Sequence, residues 1–181
     1  MNTSHLSFLT SHSSFLTSNI YLIGFMGCGK TTVGKRLAAR LGFLFADTDK
    51  LFEVKHNCTI NHYFEQHGED AFRKEEAIVL KETISLENTV IATGGGTPCF
   101  YNNMDLMLSH GICIYLEISP KALYSRLKNS QSERPLLQAD NLLENIENLL
   151  SQREPYYKKA DIIVSGLDVD ISKLKALIMQ K

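Results

Sequence analysis

Hydrophobic positions along the chain follow two rhythms that take turns. Short continuous apolar runs occur at Ile20-Tyr21-Leu22-Ile23, Phe43-Leu44-Phe45-Ala46, Thr89-Val90-Ile91-Ala92, Ile112-Cys113-Ile114-Tyr115-Leu116 and Ile162-Ile163-Val164. Runs of this length read as strands, the first of them with the look of a buried one. Between them the apolar residues recur at helical spacing: Val33, Leu37 and Leu41, then segments reaching about Lys55, from Thr59 to Gln66, from Glu69 to about Leu86, and from Asn102 to Ser109. Ser119-Pro120 opens a further helix, with serine as cap and proline in the first turn. Helical spacing resumes from Leu142 to Gln152, and Ile171, Leu174 and Ile178 mark a closing helix. Strands alternating with helices predict an α/β fold, a parallel sheet wrapped by helices. Ligands of such sheets gather beyond the carboxyl ends of the strands, which here means Gly24–Thr31, Asp47–Asp49 and Gly94–Gly96.

Two stretches break the rhythm. Lys128 to Asp140 has charge and a proline but no period, and reads as a mobile loop. At the start, His5-Leu6-Ser7-Phe8-Leu9-Thr10-Ser11 is nearly repeated as His12-Ser13-Ser14-Phe15-Leu16-Thr17-Ser18. It lacks the positive start and continuous apolar centre of a secretory signal, and the arginines of a transit peptide. We take residues 1–18 as a flexible extension and 19–181 as a single domain.

Composition narrows the partners. The net charge of −1 gives no bulk reason to expect nucleic acid or an anionic membrane. No apolar run is long enough to cross a bilayer. The four cysteines lie far apart and form no C-x-x-C pair, which disfavours both a zinc site and a disulfide framework and makes a reducing cytoplasm the default location. A monomer acting on small molecules is the expectation.

The chemistry starts at Gly24-Phe25-Met26-Gly27-Cys28-Gly29-Lys30-Thr31, which fits G-x-x-x-x-G-K-[ST] at every fixed position. Glycines let successive amides turn inward on a phosphate chain, and the helix that follows presents its positive end to an anion. Lys30 supplies a charge for the β- and γ-phosphates of a nucleotide, and the Thr31 hydroxyl is placed for Mg²⁺. Gly27, Cys28, Gly29, Lys30, Thr31 and Thr32 form the expected ATP-binding stretch. Cys28 is either a reactive thiol among amides or a small residue that fits.

A second group favours phosphoryl transfer. Asp47 and Asp49 flank one threonine after a strand, where one acid can support the metal and the other can position an attacking hydroxyl; either can equally be a helix cap. Gly94, Gly95 and Gly96 directly after a strand imply a ligand approaching the backbone, or a plain tight turn. Arg73, Arg134 and Arg153 stand in structured settings, and a guanidinium fork matches carboxylate or phosphate.

In order, G-F-M-G-C-G-K-T-T-V-G, D-T-D, F-R-x-x-E, G-G-G, R-P-L-L and R-x-P-x-Y resemble the shikimate kinase family from Ile20 to the C-terminus. The resemblance implies a P-loop kinase of the nucleoside-monophosphate-kinase type: five parallel strands, flanking helices and a mobile lid. It implies transfer of the γ-phosphoryl of ATP to the 3-hydroxyl of shikimate, a step of chorismate and aromatic amino acid biosynthesis, with Mg²⁺ as cofactor. By the same resemblance Lys30, Asp49 and Arg134 are catalytic, Arg134 being a lid arginine that also binds ATP. Thr31 and, through water, Asp47 hold the metal. Asp49, Arg73, Arg153, Gly94, Gly95 and Gly96 bind shikimate, Glu76 braces Arg73, and Phe64 and Phe72 pack on the ring. One extra residue between Arg126 and Arg134, and the lack of a clear match at Ser165-Gly166-Leu167-Asp168, leave the adenine contacts unassigned. A gluconate or nucleoside-monophosphate kinase would share loop and sheet without the combination of D-T-D, F-R-x-x-E and G-G-G. A binding module without phosphotransfer is the rival of another class.

Overall fold

Each apolar run of the sequence becomes a strand of one sheet in the computed structural model, which describes residues 18–128 and 141–181. The strands are β1 (Asn19–Ile23), β2 (Leu44–Asp47), β3 (Thr89–Ala92), β4 (Gly111–Glu117) and β5 (Ile162–Ser165), in spatial order β2-β3-β1-β4-β5 with every pairing parallel. Helices α1 (Lys30–Leu41), α2 (Thr48–His56), α3 (Ile60–Glu82), α4 (Asn103–His110), α5 (Pro120–Leu127), α6 (Leu142–Tyr157) and α7 (Ile171–Ile178) complete the frame. Nearly all of residues 1–18 and of the stretch expected as a lid, Arg134 included, lies outside the described residues. None of the described helices is long and apolar enough to cross a membrane.

A parallel strand in the middle of a sheet is covered on both faces, so it needs apolar side chains at every position rather than alternate ones. All residues of β1 and β3 are accordingly buried. Thr89 and Asn19 are the polar exceptions, and Asn19 ties the two strands together. Its amide donates to the carbonyls of Thr83 and Leu86 and its oxygen accepts from the Thr89 amide, joining the start of β1 to the turn before β3.

Register decides which loops meet. Leu22 pairs with Ala92, and Ala92 pairs with Asp47. The carboxyl ends of β1, β3 and β2 are therefore level, and the segments that leave them rise side by side. Thr93 reinforces this edge, its amide and its hydroxyl both donating to the Leu22 carbonyl at 3.2 Å.

The helix pair between β2 and β3 has a small core of its own. Phe52, Phe72 and Val79 are buried together, with Ile60, Tyr63 and Phe64 packed against them. Helix α3 is broken at Gly68 (φ 77°, ψ 176°), where the sequence suggests a gap between two helical segments. Helix α6 runs further than its spacing predicts, past Pro155 to Tyr157. A proline interrupts a helix by withholding one N–H. Here Tyr157, fully buried, holds the last turn in place by donating to the Gly95 carbonyl at 2.5 Å.

Candidate functional site

The phosphate-binding loop is built as its sequence implies. Gly29 caps α1 with φ 102°, a left-handed conformation that side chains rarely tolerate, and so turns the chain from loop to helix. Lys30 folds back over its own loop. Its ammonium donates to the carbonyls of Gly24 at 2.7 Å and Phe25 at 3.0 Å, and lies 3.7 Å from the Cys28 sulfur. These contacts hold a positive charge inside the curve of the loop, where an incoming phosphate can exchange for the carbonyls. Cys28 is buried, in keeping with a small residue that fits.

Asp47 caps a helix and also reaches the phosphate loop. One carboxylate oxygen accepts from the Asp49 amide and caps α2, while the other accepts from the Thr31 hydroxyl at 2.9 Å. A hydroxyl and a carboxylate thus face one another at the mouth of the loop. Among the described residues no three His, Cys, Asp or Glu side chains group as a metal cage. Mg²⁺ in nucleotide sites keeps most of its shell as water and phosphate and needs only one or two protein oxygens, so Thr31 and Asp47 fit the ion.

The glycine triplet is where the charged groups converge. A Cβ on Gly94 would lie 2.9 Å from an Asp49 carboxylate oxygen and 2.6 Å from Glu76 Oε1. On Gly95 it would lie 3.0 Å from the Met26 amide nitrogen of the phosphate loop and 3.6 Å from an Arg153 terminal nitrogen. On Gly96 it would lie 2.7 Å from an Arg73 terminal nitrogen. Each glycine leaves room for a different polar group, and one turn brings the acid, the two guanidinium forks and the phosphate loop together. The Gly94 amide donates to the buried Thr48 hydroxyl at 3.1 Å, which fixes this turn to the start of α2, beside Asp49.

The two arginines differ in how they are held. Arg73, 5% exposed, gives NH1 to Glu76 at 2.9 Å and Nε and NH2 to Glu69 at 3.2 and 3.1 Å. Its guanidinium lies over the rings of Phe72 and Phe100, 5.0 and 4.2 Å from their centroids. A guanidinium has five N–H donors, so with three engaged about two remain for an anion. Arg153, 7% exposed, lies over Phe25 and buries an NH1 that finds no partner among the described residues. A buried donor of this kind is costly unless something fills its place. Burial pushes the Cys99 thiol up to about 11, although the Arg153 and Arg73 charges pull the other way.

Phe72 is buried against Phe52 and Phe64, their ring centroids 5.1 and 5.7 Å away, so it floors the site from beneath Arg73. Phe64 is only half-buried. Sequence reasoning missed Phe25, Phe100 and Thr97, which carry no charge to signal a role. It also left Arg126 without a place. Arg126 reaches the carbonyls of Gly27 and Cys28, each at 3.2 Å, and that of Leu167 at 3.4 Å, linking the phosphate loop to the turn after β5.

Comparison with known proteins follows the same outline. The shikimate kinase family model matches residues 26–179. The shikimate kinase of Bacteroides fragilis is 38% identical over 170 residues, covering 88% of this chain and 95% of the relative. Among solved structures, shikimate kinase from Acinetobacter baumannii in complex with shikimate superposes with a TM-score of 0.83 at 37% identity, over 92% of this chain and 93% of that one. The Bacteroides thetaiotaomicron shikimate kinase structure gives 0.80 at 36% identity, over 91% and 96%.

Proposed function

The chain belongs to the shikimate kinase family, and on that premise we propose how its residues divide the work of phosphorylating shikimate with ATP, a reaction of aromatic biosynthesis. The observation that carries the proposal is the convergence of Asp49, Arg73 and Arg153 on Gly94–Gly96, beside the phosphate loop. An acceptor that carries a carboxylate at one end and hydroxyls at the other suits two guanidinium forks facing an acid.

The amides of Gly27 to Thr32 and the Lys30 ammonium bind the phosphates of ATP. Thr31 and Asp47, the latter through water, would hold Mg²⁺, which would supply charge neutralisation at the nucleotide phosphates. Arg73 and Arg153 clamp the shikimate carboxylate, and the buried NH1 of Arg153 gains its partner there. Glu76 keeps Arg73 in position. The backbone of Gly94 to Gly96 meets the ring hydroxyls, above the floor made by Phe72, with Phe64 at its side. Asp49 accepts a hydrogen bond from the 3-hydroxyl and directs its lone pair at the γ-phosphorus. As the new O–P bond forms and the bond to ADP breaks, the hydroxyl proton passes to the Asp49 carboxylate, giving shikimate 3-phosphate and ADP. Arg134 would close on the phosphates and exclude water, which otherwise competes for the phosphoryl group. Four unpaired thiols suit a reducing cytoplasm.

A coupled ADP-release assay tests the assignment, with shikimate, gluconate and nucleoside monophosphates offered side by side. Release should depend on shikimate. Equal turnover with gluconate or a nucleotide would refute it.

A further inference from the structure

Thr97 has no part in the scheme above, yet its hydroxyl is wholly buried beside the acceptor site. It sits on the turn after Gly96 at 0% exposure, and its Oγ1 lies 2.7 Å from Glu76 Oε1. An ionised carboxylate can only accept, so the threonine must be the donor. The other Glu76 oxygen accepts from Arg73 NH1 at 2.9 Å. Glu76 is itself 4% exposed, and each of its two oxygens is answered by one of these two donors. The turn that carries Thr97 is fixed as well: its carbonyl accepts from Asn103 Nδ2 at 2.9 Å and its amide donates to the Gly94 carbonyl at 3.3 Å.

The last torsion of a glutamate is soft, with broad and nearly two-fold preferences. A donor at Oε1 therefore sets the plane of the carboxylate, and that plane sets where Oε2 pulls the guanidinium. We propose that Thr97 is a positioning residue for acceptor recognition: through Glu76 it aims the free N–H groups of Arg73 at the substrate carboxylate. The inference rests on the assignment of Arg73 to that carboxylate. Without the hydroxyl, Glu76 keeps one buried oxygen without a partner and turns toward another donor, taking Arg73 with it.

The test compares Thr97→Val, which exchanges hydroxyl for methyl at constant shape, with Thr97→Ser, which keeps the hydroxyl. Thr97→Ala, which adds no methyl against Glu76, serves as the companion should valine disturb folding. Steady-state kinetics should show the KM for shikimate raised roughly tenfold in the Val and Ala variants, with kcat and the KM for ATP within about twofold of wild type. Calorimetric titration with shikimate alone should show the same loss of affinity. Serine should restore wild-type values. In a Glu76→Gln background, Thr97→Val should have much less effect than on its own, because the two act as one unit. An unchanged KM in both hydroxyl-free variants would overturn the proposal. So would a serine variant as impaired as valine, or a KM for ATP that rises in step, since either would mean packing and not the hydroxyl. A wild-type chain that does not bind shikimate at all would instead refute the functional reading on which this rests.

Discussion

Replacing Gly96 by alanine isolates one contact of the proposed acceptor site from the backbone around it. Gly96 adopts φ −88° and ψ −21°, a right-handed conformation open to any residue, so alanine brings no backbone strain. It should even stabilise the fold by roughly 0.4–1 kcal/mol through the unfolded chain, less whatever the new contact costs. That contact is with Arg73. The added Cβ would lie 2.7 Å from NH1 and 3.0 Å from both Cζ and NH2, so the guanidinium must withdraw by about 0.7 Å to regain an ordinary 3.4 Å separation. Arg73 has little freedom to do so, being tied to Glu76 and Glu69 and lying over Phe72 and Phe100. The displacement therefore falls on the hydrogen bonds we propose it makes to the acceptor carboxylate. Weakening one charge-assisted bond by about 1.4 kcal/mol is a tenfold loss of affinity. Coupled kinetics should show the KM for shikimate raised roughly tenfold, with the KM for ATP and the background ATPase rate unchanged. The three atoms nearest this Cβ all belong to Arg73: a Gly96→Ala enzyme with wild-type KM for shikimate, or one whose KM for ATP rises equally, would refute the assignment of Arg73.

Three further outcomes follow from the same geometry. Asp49→Asn keeps the size of the side chain but removes the proton acceptor; nucleotide binding by calorimetry should stay within about twofold while kcat falls by a factor on the order of 10²–10⁴, and wild-type turnover would exclude Asp49 as the base. Tyr157→Phe removes the hydrogen bond to the Gly95 carbonyl and leaves the ring to pack on Tyr115; an unpaired buried carbonyl costs about 1–2 kcal/mol, so the melting temperature by scanning calorimetry should fall by roughly 2–8 °C. Burial holds the Tyr157 hydroxyl well above its ordinary pKa, so this loss should be the same at pH 6 and pH 9. Cys99, pushed up to about 11 mainly by burial, is a neutral thiol at pH 8, and iodoacetamide mapping by mass spectrometry at that pH should leave it unmodified; rapid labelling would show that the arginine charges dominate.

Every strand was legible in the sequence: the inner strands β1, β3 and β4 because a doubly covered parallel strand writes its burial as an unbroken apolar run, and the edge strands β2 and β5 because they carry similar runs although they are partly exposed. The gap between the two helical segments of α3 was legible for a similarly local reason, the single Gly68. The end of α6 was not. Pro155 reads as a stop, and what carries the helix on to Tyr157 is a bond to Gly95, distant in sequence. The site divides in the same way. Phosphate binding is legible because the residues that do it are contiguous and fold on themselves, Lys30 onto Gly24 and Phe25. The proposed acceptor site is assembled from α2, α3, α6 and the turn after β3, and its charged members show in the sequence only as isolated Asp49, Arg73 and Arg153.

What joins these members is the absence of side chains at three successive positions, each absence serving a different partner. The physical roles of Gly94, Gly95 and Gly96 are therefore unequal despite their identity. Gly94 is confined by Glu76, Thr97 and Asp49, so a methyl there disturbs the acid and the brace of Arg73 together, whereas at Gly96 the three nearest atoms all belong to the guanidinium. At Gly95 the nearest neighbour is the backbone amide of Met26, which cannot rotate away as a side chain can. Alanine at Gly95 should thus strike nucleotide and acceptor binding at once, and alanine at Gly96 the acceptor only. The order in which three identical residues tolerate the same substitution is set by what stands opposite each of them, which no local pattern in the sequence records.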